Sequence, residues 1–160
     1  TDFVGTDGVN GGHFETPTEL VRACLNVCTP QKGPRLVVLT GGEPLLQVDN
    51  SLIEAFHKDN FSIAIETNGT FHVPHAIDWI CVSPKANAPL VQTSGDELKI
   101  IYPQEGINPE DYLSLDFDHR FLQPMDGPNR EDNIKKAIIY CKLNPPWRLS
   151  LQTQKIVQIP

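Results

Sequence analysis

Apolar residues gather in short runs along the chain, separated by amphipathic stretches and polar turns, which is typical of an α/β protein. Most runs show no strict alternation, as expected of strands buried on both faces of a parallel sheet. The last run alternates and is predicted to close the chain as a strand. The six predicted strands are residues 35–40, 62–67, 78–83, 97–102, 119–124 and 148–156. We expect one domain over residues 1–160, with a mostly parallel sheet that is open or curved into part of a barrel.

Helix signals lie before and between the predicted strands. Thr16 is a candidate N-cap, Pro17 suits the first helical position, and Glu19 completes a capping box, which predicts a helix that runs to Cys28. Residues 5–13 are rich in glycine and polar side chains and are expected to form a loop. The other predicted helices are residues 46–58, the short segment 108–115 and the amphipathic segment 129–143.

The charge balance narrows the class of ligand. Twenty acidic residues face 13 basic ones, for a formal net charge of −7. Phosphate backbones are bound through Lys and Arg, so this composition argues against nucleic acid and favours a small-molecule ligand. No apolar run approaches membrane-spanning length and no signal-peptide pattern opens the chain, so we expect a cytoplasmic protein.

Cysteines and histidines raise the question of a metal or cluster site. Four cysteines are too few for a disulfide framework. Cys24 and Cys28 have the spacing of half a cluster motif, but they lie on the apolar face of a predicted helix and Gln31 stands where a third cysteine would follow. We therefore expect them to pack in the core. His72 and His75 lie in a predicted loop and are expected to be solvated.

Polar groups follow nearly every predicted strand, at the end where the loops of a parallel α/β sheet gather and ligands bind. This coincidence predicts a composite site built from several strands. Glu66 is a strong candidate because it is a charged residue at the end of an apolar strand, whereas Lys99 is expected to extend from a strand face to solvent. The polar groups are residues 40–43, 66–69, 83–85, 123–126 and 152–155.

The pair Gly41–Gly42 admits two interpretations. Without Cβ atoms, these residues expose backbone groups to a ligand that carries an ammonium and a carboxylate, and Glu43 could hold the ammonium. Alternatively, the pair makes a tight strand-to-helix turn beside a solvated Glu43. No Gly-x-Gly-x-x-Gly or Walker motif is present, which weakens a nucleotide-phosphate interpretation.

Longer motifs carry a family resemblance. The segment "TGGEPLLQ" resembles the glycine-glycine-glutamate motif of radical S-adenosylmethionine (SAM) enzymes. The segments "TDFVGTDG", "ETNGT", "CVSPKA", "LKIIYP", "FLQPMDG" and "WRLSLQTQKIVQIP" resemble, in order and over nearly the whole chain, the 7-carboxy-7-deazaguanine synthase family. The resemblance implies a partial (β/α) barrel of the radical SAM type, with the N-terminal strand and the cluster loop missing from this chain.

The same resemblance implies a carbon–nitrogen lyase of queuosine biosynthesis. Its reaction contracts the ring of 6-carboxy-5,6,7,8-tetrahydropterin to give 7-carboxy-7-deazaguanine and ammonia. The implied cofactors are SAM, a [4Fe-4S] cluster and Mg²⁺. The implied partners are the pterin substrate, a second copy in a homodimer and an electron donor such as flavodoxin or ferredoxin, with no direct contact to nucleic acid or membrane.

The resemblance also assigns site residues, although none is assigned as catalytic. Thr1 would bind Mg²⁺ through its hydroxyl, since this ion prefers oxygen ligands. The residues implied to bind substrate are Thr40, Glu66, Gln154 and Pro160. The residues implied to bind SAM are Gly41, Gly42, Glu43, Ser83, Pro84, Lys85, Gln123, Pro124, Met125 and Asp126.

Two features depart from the family pattern. The three cluster cysteines of the family precede its "DTDF" segment, and this chain begins at Thr1 within that segment, so the fragment alone is expected to be inactive. Gln154 stands where the family has histidine, and an amide can donate a hydrogen bond but cannot carry a proton. A non-catalytic pterin- or purine-binding module and another radical SAM activating enzyme remain alternative hypotheses.

Overall fold

The computed structural model describes residues 11–28 and 33–157, which form an α/β fold with a six-stranded sheet. The strand order is β1-β2-β3-β4-β5-β6, and the registered pairs are parallel, as predicted. The strands are β1 (Arg35–Leu39), β2 (Phe61–Thr67), β3 (Trp79–Val82), β4 (Ser94–Tyr102), β5 (Asp116–Pro124) and β6 (Trp147–Leu149). The helices are α1 (Pro17–Val27), α2 (Asn50–Lys58), α3 (Arg130–Leu143) and α4 (Thr153–Ile156), with 3₁₀ turns at Pro44–Leu46 and Pro109–Tyr112.

The chain divides into two compact units. The first unit comprises residues 1–67 and 71–80, and the second comprises residues 68–70 and 81–160. The single domain expected over residues 1–160 stays a prediction. Thr1 and Pro160, both assigned to the site by resemblance, lie outside the described residues.

The core of the first unit lies between helices α1 and α2 and one face of strands β1 and β2. Burial alternates along β2, so that Ile63 and Ile65 are fully buried while Glu66 is exposed. Helix α1 begins as predicted, because Thr16 and Glu19 form a complete capping box. The buried members of this core are Val21, Ile53, Phe56, Phe61, Ile63, Ile65, Val73 and Ile77.

The second unit carries four strands paired in parallel, from β3 to β6. The longest pairing joins β4 to β5 and brings Tyr102 opposite Pro124 at the carboxyl end of both strands. Leu98 and Leu122 are completely buried. Lys99, expected to extend to solvent, is half-buried within β4.

Three element predictions need correction. The helix predicted over residues 46–58 is a 3₁₀ turn followed by α2, because the Asp49 carboxylate accepts a hydrogen bond from the Leu52 N–H at 2.8 Å and starts a new helix. The predicted strand 148–156 is also wrong: β6 ends at Leu149 and a short helix, Thr153–Ile156, follows. The segment 108–115 forms only the 3₁₀ turn at Pro109–Tyr112. In the described ranges, no helix has the length and hydropathy needed to cross a membrane.

Candidate functional site

The carboxyl ends of β1 and β2 meet at one edge of the first unit. Leu39 is paired with Ile65 in the parallel register, so Thr40 and Glu66 are the next residues of their two strands. Both side chains are exposed although the preceding strand residues are half or fully buried. The structure therefore brings these two predicted substrate residues to the same edge of the sheet.

The two glycines after β1 differ in what they require. Gly41 adopts φ +123°, a conformation that side chains rarely tolerate, so its glycine is explained by the turn itself. Gly42 has no such φ, and a Cβ built there meets no atom within 4 Å. The fold of the described chain gives no reason for glycine at position 42, which leaves the exposed backbone available to a ligand.

Glu43 is anchored by two hydrogen bonds to one carboxylate oxygen. Its Oε1 accepts from the Leu45 N–H at 3.1 Å, which caps the 3₁₀ turn, and from the Thr67 hydroxyl at 2.7 Å. The side chain is half-buried, so the interpretation of a solvated Glu43 is wrong. Thr67 lies within the predicted strand-end group 66–69, although the family resemblance assigned it no role; the signal available in the sequence was a threonine on the buried face of an apolar strand.

Ser83 and Lys85 lie directly after β3 in the second unit. The Lys85 ammonium donates to the Ser83 carbonyl oxygen and to the Ser83 Oγ, each at 2.9 Å. The intervening Pro84 is buried, which fixes the backbone of this turn. The structure thus places a hydroxyl and an ammonium together at the carboxyl end of a strand, and their contact with SAM stays a prediction.

The main chain of residues 123–126 is held in place at the end of β5. Gln123 and Pro124 are the last residues of that strand, and the Met125 N–H donates to the Tyr102 carbonyl at 2.8 Å. The Met125 carbonyl accepts from Asn133 Nδ2 at 2.9 Å, and Asn133 is only 7% exposed. The hydrogen bond from the buried Asn133 amide to the Met125 carbonyl therefore fixes the backbone conformation of this segment.

Asp126 forms a small ion-pair cluster with two cations. Its carboxylate accepts a hydrogen bond from the Lys155 ammonium and lies 4.0 Å from the Arg130 guanidinium. The Lys155 hydrogen bond, the Gly127 N–H and these charges lower the pKa of Asp126. Lys155 adjoins the exposed Gln154 in α4. The cluster therefore connects α4, which carries the predicted substrate residue Gln154, to Asp126, a predicted SAM residue.

The described cysteines do not fit an iron–sulfur cluster. Cys24 and Cys28 pack against the core of the first unit, as predicted. Burial, reinforced by the neighbouring Cys28, raises the pKa of the Cys24 thiol, whereas cluster ligation requires thiolates. No group of three or more His, Cys, Asp or Glu side chains within the described residues could hold a metal ion. His72 and His75 are exposed, as predicted.

Comparison with known proteins gives consistent matches, although no protein-family model matches the chain. The chain is 55% identical over 160 residues to the 7-carboxy-7-deazaguanine synthase of Caulobacter vibrioides, which covers 100% of this chain and 76% of that one. It is 54% identical over 160 residues to the synthase of Burkholderia multivorans, with the same shares covered.

A solved structure agrees with these sequence matches. The crystal structure of QueE from Escherichia coli superposes with a TM-score of 0.64 and 29% identity, covering 84% of this chain and 63% of that one. These matches, together with a parallel α/β sheet and a Gly-Gly-Glu segment after its first described strand, define the class, a radical SAM lyase. The chain belongs to the 7-carboxy-7-deazaguanine synthase family.

Proposed function

We propose that the protein catalyses the reaction for which its relatives are named, the formation of 7-carboxy-7-deazaguanine. The substrate is 6-carboxy-5,6,7,8-tetrahydropterin, and its ring contraction releases ammonia within queuosine biosynthesis. The observation that carries this proposal is 55% identity to a synthase over the whole of this chain. The chain spans 76% of that relative's length, so the activity is proposed for the complete enzyme.

SAM is proposed to bind through residues at or just after the carboxyl ends of strands β1, β3 and β5. The bare backbone of Gly42 and the anchored carboxylate of Glu43 suit the ammonium and carboxylate of its methionyl part. When bound, SAM supplies the radical that abstracts a hydrogen atom from the substrate. The exposed Gly41 flanks this position. From the second unit, the proposed contacts are Ser83, Pro84, Lys85, Gln123, Pro124, Met125 and Asp126.

The pterin substrate is proposed to lie against Thr40, Glu66, Gln154 and Pro160. The amino and ring N–H groups of a pterin are hydrogen-bond donors, and the exposed Glu66 carboxylate is an acceptor of suitable charge. Thr40 stands beside it at the end of the adjacent strand and can donate or accept. Gln154 can donate to the substrate carboxylate.

The remaining assignments rest on the family alone. Cluster ligands are proposed to lie outside this chain, because the described cysteines do not fit that role. Thr1 is proposed as a Mg²⁺ ligand. A homodimer, an electron donor such as flavodoxin or ferredoxin, and a cytoplasmic location complete the proposal.

The decisive experiment uses the full-length protein, reconstituted anaerobically with iron and sulfide and supplied with SAM, Mg²⁺, a reductant and the tetrahydropterin. The expected products are 7-carboxy-7-deazaguanine and ammonia, identified by mass spectrometry. A cluster-loaded protein that binds the pterin without consuming it would instead support the non-catalytic binding module. Turnover of a different substrate class would support another radical SAM enzyme.

A matched pair of variants tests the substrate assignment. Glu66→Gln should raise the KM for the pterin by about tenfold, because a charge-assisted hydrogen bond is lost. Glu54→Gln removes an equally exposed carboxylate from α2 and should leave that KM unchanged. An equal response of the two variants would contradict the proposed role of Glu66.

A further inference from the structure

Thr67 is a buried polar residue in an apolar environment. It is the last residue of β2 and only 2% exposed. The alternation of the strand puts its side chain on the same face as Ile63 and Ile65, opposite to Glu66. A hydroxyl removed from water is costly unless it is hydrogen-bonded, so its bonding partner explains why the residue is tolerated there.

The partner is the carboxylate of Glu43, which lies 24 residues earlier in the chain. The Thr67 Oγ1–H donates to Glu43 Oε1 at 2.7 Å, within the range of short, charge-assisted hydrogen bonds. The Leu45 N–H donates to the same oxygen at 3.1 Å. Two donors converging on one oxygen fix the rotamer of the Glu43 side chain.

The choice of side chain separates this role from simple packing. Valine has nearly the shape of threonine and suits the interior of a strand equally well, without a hydroxyl to satisfy. A position that served only the core next to Ile65 would therefore be filled at lower cost by valine. The hydroxyl adds one capability, which is to hold the carboxylate of Glu43.

We infer that Thr67 is a positioning residue for SAM: its hydroxyl orients the Glu43 carboxylate toward the SAM ammonium. This inference rests on the proposed function, in which Glu43 binds SAM. Thr67 touches neither SAM nor substrate in this role and acts only through Glu43. Its effect therefore falls on SAM affinity rather than on the chemistry of the pterin.

The test compares Thr67→Val with Thr67→Ser in the full-length, cluster-reconstituted protein. Equilibrium dialysis with labelled SAM should show affinity weakened about tenfold in the valine variant and restored to within about threefold by serine, which keeps a hydroxyl. In kinetics, the KM for SAM should change more than either kcat or the KM for the pterin. Thr18→Val, an exposed threonine of α1, is the control and should behave as wild type.

A double-mutant cycle separates this inference from the proposed function. On a Glu43→Gln background, Thr67→Val should weaken SAM binding less than about twofold further, because the two changes remove one unit. Two outcomes would overturn the inference alone. In the first, Glu43→Gln weakens SAM binding but Thr67→Val does not. In the second, the losses of SAM affinity in the two variants are fully additive. Unchanged SAM affinity in Glu43→Gln would overturn the proposed role of Glu43 as well. If the valine variant does not fold, Thr67→Ala serves in the same cycle.

Discussion

Asp78 occupies both backbone hydrogen-bonding groups of Ile63. Its carboxylate accepts from the Ile63 N–H at 2.8 Å, and its own N–H donates to the Ile63 carbonyl at 3.0 Å. The same carboxylate oxygen lies 3.0 Å from Nε2 of His57 on α2. Asp78, the residue before β3, thus joins helix α2 to the middle of β2 in the first unit.

This relationship predicts that the free energy of unfolding varies with pH in the acidic range. The Ile63 N–H, with a smaller contribution from His57, lowers the pKa of Asp78. A lowered pKa means that the contribution is fully present above the ordinary pKa of Asp, about 4, and is lost as the pH falls through the lowered value. Because the Asp78 side chain is 47% exposed and screened by solvent, Asp78→Ala should cost less than about 1 kcal/mol of unfolding free energy at pH 7, and this difference should shrink further near pH 2. Urea unfolding at several pH values measures this; a constant difference would contradict the assignment.

Alanine substitution of the two adjacent glycines should affect different properties, namely stability at position 41 and SAM binding at position 42. Gly41→Ala forces a side chain into φ +123° and should destabilise the protein by about 1 kcal/mol or more. Gly42→Ala meets no atom within 4 Å and should leave the unfolding free energy near that of wild type, yet weaken SAM binding because the Cβ covers the exposed backbone. Urea unfolding and SAM dialysis on both variants check this. Normal SAM affinity in Gly42→Ala would remove position 42 from the site.

The Lys155–Asp126 pair should influence SAM binding modestly and in a salt-dependent way. Both side chains are 44% exposed, so the interaction is screened by solvent. Lys155→Met should raise the KM for SAM by about threefold at low ionic strength, and the difference should shrink at high salt. Lys142→Met, which removes an exposed cation from a different helix, α3, is the control. An effect of equal size at all salt concentrations would contradict an electrostatic role.

Local signals explain what could be predicted from the sequence. The start of α1 depends on Thr16, Pro17 and Glu19, all within four positions, and the prediction is confirmed. The parallel sheet was predicted because apolar runs are typical of strands buried on both faces. The expected burial is wrong for β1, because Leu36 and Val38 are exposed and only its other face borders the core. The strand expected at 148–156 failed because alternation over a short segment fits a strand or irregular chain equally, and only the pairing with β5 decides where it ends.

The supporting residues of the site could not be predicted in the same way. Thr67 serves Glu43 from a distance of 24 residues, and Lys155 serves Asp126 from 29 residues. Neither pair leaves a local pattern, since each partner alone resembles an ordinary strand threonine or surface lysine. The strand-end groups that contain these four residues were recognised from the sequence, whereas the pairing of their side chains required the three-dimensional structure.

Gln154 offers a prediction about the pH dependence of substrate binding. It lies exposed in α4, at the position where the family resemblance leads us to expect histidine, so a histidine side chain can be accommodated without a core change. An imidazole gains a positive charge below about pH 6.5 and then attracts the substrate carboxylate, whereas the glutamine amide stays neutral. Below about pH 6.5, the Gln154→His variant should therefore have a lower KM for the pterin than the wild type, and the two KM values should converge near pH 8. Steady-state kinetics from about pH 5.5 to 8.5, a range that covers the imidazole titration, provide the measurement. Gln104→His in the second unit is the control. If the ratio of the two KM values does not vary with pH, position 154 does not face the substrate carboxylate.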